Sequence, residues 1–281
     1  MPDIVIHVVA SALYLGLALH FWNTRWRAQA AAPAAPAAPS PGAGLKAWER
    51  GAIVLPLALH GALLYAEMFA KSDLRFGFAY ALSAMLWLTV LFYWLESFLL
   101  DLDVLQPPAL ALAALAVPLP ALFPGHIGGA YAASLEFRVH LALAMLAYSL
   151  FTIAILHAVL MAVAERRLHR RDGGALGALP PLLTLEALLF RLIGAAFLLL
   201  TLTLATGFAF SESLFGRAMR FDHKTVFGVL SWLTFGGLLA GRLRYGWRGR
   251  TALRWTLTGF VLLVLAYVGS RFVLEVILGL V

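Results

Sequence analysis

The sequence predicts an all-α, polytopic membrane helix bundle, and composition and hydropathy patterning are the observations behind this prediction. Of the 281 residues, 62% are hydrophobic and only 12% are charged, and the mean hydropathy is +0.88. A water-soluble fold could not bury that much apolar surface. The apolar runs are long and do not alternate with polar residues, which favours helices over barrel strands. We therefore expect a single membrane domain over residues 1–281.

Eight segments are apolar and long enough, or nearly so, to cross the bilayer, which takes ~20 helical residues for ~30 Å of hydrocarbon. They are 4–22, 48–70, 77–100, 107–123, 139–164, 183–208, 224–241 and 252–278. The fourth is interrupted by four prolines, at positions 107, 108, 118 and 120. Between the first and second, residues 23–46 form an Ala/Pro-rich loop, which is typical of a semi-rigid or disordered linker.

The distribution of basic residues predicts the orientation of these spans. Arg25 and Arg27 follow the first apolar segment, and no basic residue precedes it, which favours a retained helix over a cleaved signal peptide. Alternate loops then carry thirteen and six Lys and Arg residues. The positive-inside rule places the thirteen inside, so that both termini and the minority loops are outside and the 23–46 loop is inside. It also accounts for the net charge of +7, and we expect no nucleic-acid partner.

Chemistry in this chain is limited by the absence of cysteine. Disulfides, thiolate metal sites and covalent attachment of a c-type heme to this chain are excluded. We find no sequence motif of a hydrolase, a metalloprotease, a P-loop ATPase or a dinucleotide-binding enzyme. Histidines and carboxylates remain as candidate ligands.

Two histidines lie at the start of predicted spans on the outer side. His140 begins the fifth span and His223 the seventh. Histidines from different helices at one depth commonly hold a b-type heme. Arg138 and Lys224 could pair with its propionates, and Trp232 could pack against its ring. The alternative is that both histidines cap helices or occupy the polar interface.

Other polar residues fall at membrane depth, where each is a functional hypothesis. His60 lies near the middle of the second span, where it is either an intramembrane site or hydrogen-bonded to a neighbouring helix. His157 follows His140 by 17 residues, which is ~25 Å along a helix, so these two cannot share an iron. Arg271 and Glu275, four residues apart, are expected to form an internal ion pair.

Long stretches of the chain resemble the YpjD/HemX-like inner-membrane branch of the cytochrome c assembly family, the group that includes CcsA. They include LALHGALLYAE around His60, VHLALAMLAYSLFTIAILHAVLMA from Val139, and FDHKTVFGVLSWLTFGGLLAGRLRYGWRGRTALRWTLTGFVLLVLAYVGSRFVLEVIL from Phe221. The resemblance implies a bacterial inner-membrane protein that binds heme b and hands it on at the outer face without bond-making chemistry. Its implied partners, besides the lipid bilayer and heme, are cytochrome c assembly proteins or an apocytochrome.

The resemblance also implies site residues. His140 matches an external heme ligand of the family, and His60 matches its intramembrane histidine. Where the family has a W-D-P-K-E-type sequence, this chain has FDHKT, so that His223 replaces the proline. The histidine that the family has in the seventh span is missing here, and His223 could supply a second ligand from its new position.

Two other functions are open on this sequence. A HemX-like regulatory or scaffold protein would modulate tetrapyrrole synthesis or a partner complex without binding heme. A small-solute or ion transporter would use Glu67, Glu96 and the Arg271/Glu275 pair, although the broken-helix pairs of many transporters are not evident.

Overall fold

The computed structural model describes residues 2–27, 44–68, 74–99, 105–127, 134–169, 182–215 and 222–279. Its α-helices are α1 (Pro2–Phe21), α2 (Ala47–Met68), α3 (Phe78–Glu96), α4 (Gln106–Ala116), α5 (Leu119–Leu122), α6 (Leu135–His169), α7 (Leu182–Phe215), α8 (His223–Tyr245), α9 (Gly249–Val264) and α10 (Ser270–Phe272). Three π-helical segments, Trp22–Arg27, Leu265–Gly269 and Val273–Ile277, extend α1 and flank α10. Two-residue strands, β1 (Arg75–Phe76) and β2 (His126–Ile127), complete the described elements.

Within the described parts of the chain, seven helical stretches are long and apolar enough to cross a membrane, and a shorter apolar one covers Gln106–Leu122. The seven are Ile4–Trp26, Ala47–Met68, Phe78–Glu96, Leu135–Arg166, Leu182–Phe210, His223–Tyr245 and Gly249–Ile277. The predicted all-α, polytopic membrane fold is confirmed. The predicted 23–46 loop is shorter than expected, because helical structure continues to Arg27; residues 28–43 lie outside the described residues.

The fourth predicted span is a pair of short helices. Pro107 and Pro108 fit the first turn of α4, where an N–H is not needed, and the helix breaks at Pro118 before α5. The antiparallel pairing of β1 with β2 shows at which level of the bundle the chain lies after α5. Because β1 precedes α3 and β2 follows α5, helices α4 and α5 return the chain to the level at which α3 begins. This path agrees with eight crossings.

The centre of the bundle is formed by α6, α7 and α8, with α9 packed against α6 and α8. Phe151 of α6 stacks on Phe235 of α8, with ring centroids 3.8 Å apart. Gly259 of α9 makes this possible, because a Cβ there would lie 2.8 Å from the Phe235 ring. Small residues that admit a neighbouring ring or backbone are the usual means of close helix packing in lipid.

Buried carboxylates hold several basic residues at the predicted inner end of the bundle. Glu49 of α2 is 1% exposed and accepts a hydrogen bond from Arg25 at 2.9 Å. Glu186 of α7 pairs with Arg242 at the end of α8 and with Arg248, at 3.3 Å, in the following loop. These ion pairs fix the positions of consecutive helices where the basic residues cluster.

Candidate functional site

His140 lies in the second turn of α6, with its side chain held against α7. Its Nδ1 is 3.0 Å from the hydroxyl oxygen of Thr206. That hydroxyl donates to the backbone carbonyls of Leu202, at 2.8 Å, and Thr203, at 3.0 Å. Both carbonyls are acceptors, so they can take the single hydroxyl proton and leave the oxygen free to accept from Nδ1 of His140. Nε2 of a neutral imidazole would then carry the lone pair.

A glycine on α7 sets how closely the ring approaches. A Cβ at Gly207 would lie 3.2 Å from Cε1 of His140 and 3.8 Å from Nδ1. The Nδ1–Cε1 edge of the ring therefore faces the α7 backbone. Among the described residues, Nε2 of His140 has no hydrogen bond to the protein.

Neither His140 nor His223 caps a helix, so the capping half of the alternative is wrong for both, and the polar-interface half stays open. Ser134 precedes α6, and its hydroxyl accepts from the backbone N–H of Phe137 at 3.2 Å. Asp222 is the N-cap of α8 and accepts from the N–H of Thr225 at 3.0 Å. His223 is the exposed first residue of α8.

Contacts along α7 give the relative depths of the two histidines. Gly228 of α8 lies opposite Leu204, whose Cδ2 would be 3.5 Å from a Cβ at the glycine, whereas His140 lies opposite Thr206. Since α7 and α8 are antiparallel and helices rise 1.5 Å per residue, His223 is within about one turn, ~5 Å, of His140 in depth. The two side chains share no hydrogen bond or ring contact in the described part of the chain.

Trp232 lies deeper, in the interface between α7 and α8. Its indole N–H donates to the Thr201 hydroxyl at 2.9 Å, and its ring stacks on Phe197 with centroids 5.6 Å apart. Thr201 precedes Thr206 by five residues, so Trp232 is ~7 Å further into the membrane than His140. It is therefore held against α7 by both a hydrogen bond and a ring contact.

Charged side chains lie around the outer ends of the same helices. Arg138 is exposed on α6, two residues before His140. Lys224 is half-buried and interacts electrostatically with Arg271 and Glu275. Arg271, which was expected to form an ion pair with Glu275, interacts with it electrostatically, and Glu275 also accepts from the backbone N–H of Phe78, the first residue of α3, at 3.3 Å.

His60 is a buried histidine with one satisfied ring nitrogen. It is 1% exposed, and its Nε2 is 2.8 Å from the hydroxyl of Ser83 on α3, so the expected bond to a neighbouring helix exists. Its Nδ1 and the hydroxyl of Tyr14 lack hydrogen-bond partners within the described part of the chain. The Tyr14 and His60 rings meet edge-on, with centroids 5.8 Å apart.

His157 is separate from these groups, as the sequence predicts. It is 1% exposed, and its Nδ1 donates to the Ile153 carbonyl at 3.0 Å. Its Nε2 is 3.9 Å from a Glu96 oxygen, and its ring stacks on Tyr93. His157 therefore belongs to a buried polar group between α3 and α6 near their predicted inner halves.

Three or more His, Asp or Glu side chains that could hold a bare metal ion do not come together in the described residues. A porphyrin supplies four of the ligands of its iron, so a heme needs only one or two from the protein.

Comparison with known proteins identifies the family. Residues 52–278, which include His60, His140 and His223, match the family described as cytochrome C assembly protein. The chain belongs to this family. No solved structure matches it.

The similar proteins differ in how much of this chain, and of their own length, the similarity covers. Inner membrane protein YpjD of Escherichia coli K12 is 30% identical over 82% of this chain and 89% of its own length. A protein of Azospirillum brasilense, named only by its position in a nifR3-like 5′ region, is 38% identical over half of this chain and 52% of its own length. Cytochrome c biogenesis protein CcsA of Nostoc punctiforme is 33% identical over 31% of this chain and 24% of its own length.

These findings confirm the predicted resemblance to the YpjD and CcsA-like family. With the seven long apolar helices, they also establish a multi-pass protein of the bacterial inner membrane.

Three residues at the outer end of the helix bundle were not predicted from the sequence: Thr206, Gly207 and Gly77. Thr206 is one of several threonines on an apolar helix, and no local pattern sets it apart. Gly77 admits the Glu275 carboxylate, whose Oε2 would be 2.8 Å from a Cβ at that position. All three depend on contacts between helices distant in sequence, which no motif in a single chain reports.

Proposed function

We propose that this cytochrome c assembly protein binds a b-type heme at its outer face, with His140 and His223 as axial ligands. The observation that carries the proposal is the contact of His140 with α7, since its Nδ1 lies 3.0 Å from the Thr206 hydroxyl oxygen and leaves Nε2 as the nitrogen that could bind iron. A neutral imidazole with its second nitrogen bonded within the protein is the usual form of a histidine that ligates a metal.

The placement of His223 supports the same site. It is exposed, plays no part in capping α8, and is within about one helical turn of His140 in depth. Arg138 and Lys224 flank the two histidines, and either cation could pair with a propionate at the membrane surface. Lys224 would then interact with both a propionate and Glu275, with which it already interacts electrostatically. Trp232 would form an apolar floor below the porphyrin.

His60 would serve as an intramembrane site. His60 fits the role of an iron ligand only in part, because its Nε2 is already hydrogen-bonded to Ser83 and only Nδ1 has no partner among the described residues. The chain's own contribution would be binding, orientation and handover, and the heme would supply the iron that the histidines bind. The relatives named as cytochrome c biogenesis proteins suggest an apocytochrome or another cytochrome c assembly protein as the recipient.

The first experiment is an oxidised and dithionite-reduced absorption spectrum, with a pyridine hemochrome assay, on detergent-purified protein. We expect a b-type spectrum in the wild type and its loss or a shift to a high-spin form in His140→Ala and in His223→Ala. His20→Ala is the matched control, because His20 bonds Glu49 at the other end of the bundle, and it should leave the spectrum unchanged.

A wild type that stays heme-free after hemin addition would overturn the proposal and leave the regulatory or scaffold function. A spectrum that survives both outer substitutions but is lost in His60→Ala would contradict the outer-face assignment and move the heme to the intramembrane site.

A further inference from the structure

We infer that Thr206 is the positioning residue for His140: its hydroxyl holds the imidazole as the Nδ1–H tautomer and so makes Nε2 the iron-binding atom. This inference rests on the proposed heme site and adds to it the residue that prepares the ligand. It concerns α7, a helix on which the sequence indicates no ligand.

The neighbours of the Thr206 hydroxyl suggest the direction of its hydrogen bonds. The carbonyls of Leu202 and Thr203, at 2.8 and 3.0 Å, can only accept, so we assign the single hydroxyl proton to them, and toward His140 the oxygen then offers lone pairs. The Thr206 oxygen therefore acts as an acceptor toward Nδ1, and an acceptor requires a proton on that nitrogen.

The other tautomer of His140 would lose this hydrogen bond. With the proton on Nε2, the Nδ1 lone pair would face the Thr206 oxygen at 3.0 Å and no donor would replace the lost bond. An unsatisfied polar contact of this kind is expensive in a site largely removed from water. The hydroxyl could rotate to donate to Nδ1 only by giving up its bonds to both backbone carbonyls.

The orientation of the His140 ring depends on a glycine of α7. Gly207 lets the Nδ1–Cε1 edge lie against α7, since a Cβ there would be 3.2 Å from Cε1. A methyl group at this position would push the ring away from Thr206. Thr206 and Gly207 thus act together, one by a hydrogen bond and the other by leaving space.

The test begins without heme. Nitrogen-15 NMR of the apoprotein labelled at histidine, with the His140 signal identified by its absence in His140→Gln, reports which ring nitrogen carries the proton. We expect Nδ1–H in the wild type, a shift toward Nε2–H in Thr206→Val, and restoration of the wild-type signal in Thr206→Ser. Valine matches the shape of threonine, so folding should be preserved.

Heme titration of the same variants supplies the second readout. Loss of an outer hydrogen bond to a metal-binding histidine typically weakens binding about 10- to 100-fold, and we expect a loss of this size in Thr206→Val and Gly207→Ala but not in Thr206→Ser. Thr234→Val is the matched control, because Thr234 bonds only the Leu230 carbonyl of its own helix, and its heme affinity should be that of the wild type.

Each result decides between the two proposals. If Thr206→Val keeps both the wild-type tautomer and the wild-type affinity while His140→Ala loses heme, the positioning role is wrong and the heme site stands. If the wild-type apoprotein shows Nε2–H, the inference is wrong whatever the heme content. If His140→Ala keeps its heme, the proposed heme site is wrong. The positioning role is then wrong as well, because a tautomer change in Thr206→Val would affect only the structure and not a heme ligand.

Discussion

Tyr148 and Tyr14 are both buried in the membrane-spanning part of the bundle, but their hydroxyls differ. Tyr148 of α6 donates to the Leu263 carbonyl of α9 at 2.7 Å, whereas the Tyr14 hydroxyl has no hydrogen-bond partner among the described residues. A buried hydrogen bond contributes about 1 kcal/mol, and a buried hydroxyl without a partner opposes folding by about 1–3 kcal/mol.

Removing each hydroxyl should therefore have different effects on stability. We expect Tyr148→Phe to lower the free energy of unfolding by about 1 kcal/mol and Tyr14→Phe to leave it unchanged or raise it slightly. Thermal unfolding in detergent, followed by circular dichroism, would measure both. Equal destabilisation by the two substitutions would show that the Tyr14 hydroxyl has a partner, such as a water bridging to His60.

The start of α3 depends on a contact with the last membrane span. The Glu275 carboxylate accepts from the N–H of Phe78, where the helix dipole favours negative charge. Gly77 leaves room for it, because a Cβ would be 2.8 Å from the carboxylate and 3.1 Å from the Cα of Gly125. The backbone at Gly77 is extended, with φ −175°, so the requirement for glycine is steric.

We expect Gly77→Ala to displace Glu275 from the end of α3 and to destabilise the protein by about 1–3 kcal/mol, as overpacking does. Gly51→Ala is the control, since nothing lies within 4 Å of a Cβ there and alanine favours the helix by up to about 1 kcal/mol. Unfolding midpoints of the two variants should move in opposite directions. A Gly77→Ala protein as stable as the wild type would show that the carboxylate can move at little cost.

At the scale of the whole molecule, hydropathy was sufficient to predict the fold but not the candidate heme site. Spans such as 224–241 agree closely with the structure because lipid requires long apolar helices wherever the chain crosses. The fourth span shows the limit, since its prolines indicate a break but not that β2 returns to pair with β1. His140 could be selected by its depth, but its partner Thr206 lies 66 residues away, and only packing brings them together.

The orientation of the bundle is open to a direct test, because the chain has no cysteine and any introduced thiol would be unique. Leu99 and Leu135 are exposed residues that flank the short helices α4 and α5, and Leu278 and Arg250 flank the last span. With both termini outside, a membrane-impermeant maleimide added to intact spheroplasts should label Leu135→Cys and Leu278→Cys. Leu99→Cys and Arg250→Cys should react only after permeabilisation.

The pair around the short helices decides the number of crossings. The pairing of β1 with β2 requires the chain to return across the membrane between Leu99 and Leu135, so these two thiols should react from opposite sides. Labelling of both from one side would mean that Gln106–Leu122 is a re-entrant segment and that seven spans cross. The termini would then lie on opposite faces, and the ends of α6 and α8 that carry His140 and His223 would face the cytoplasm if the N-terminus is outside.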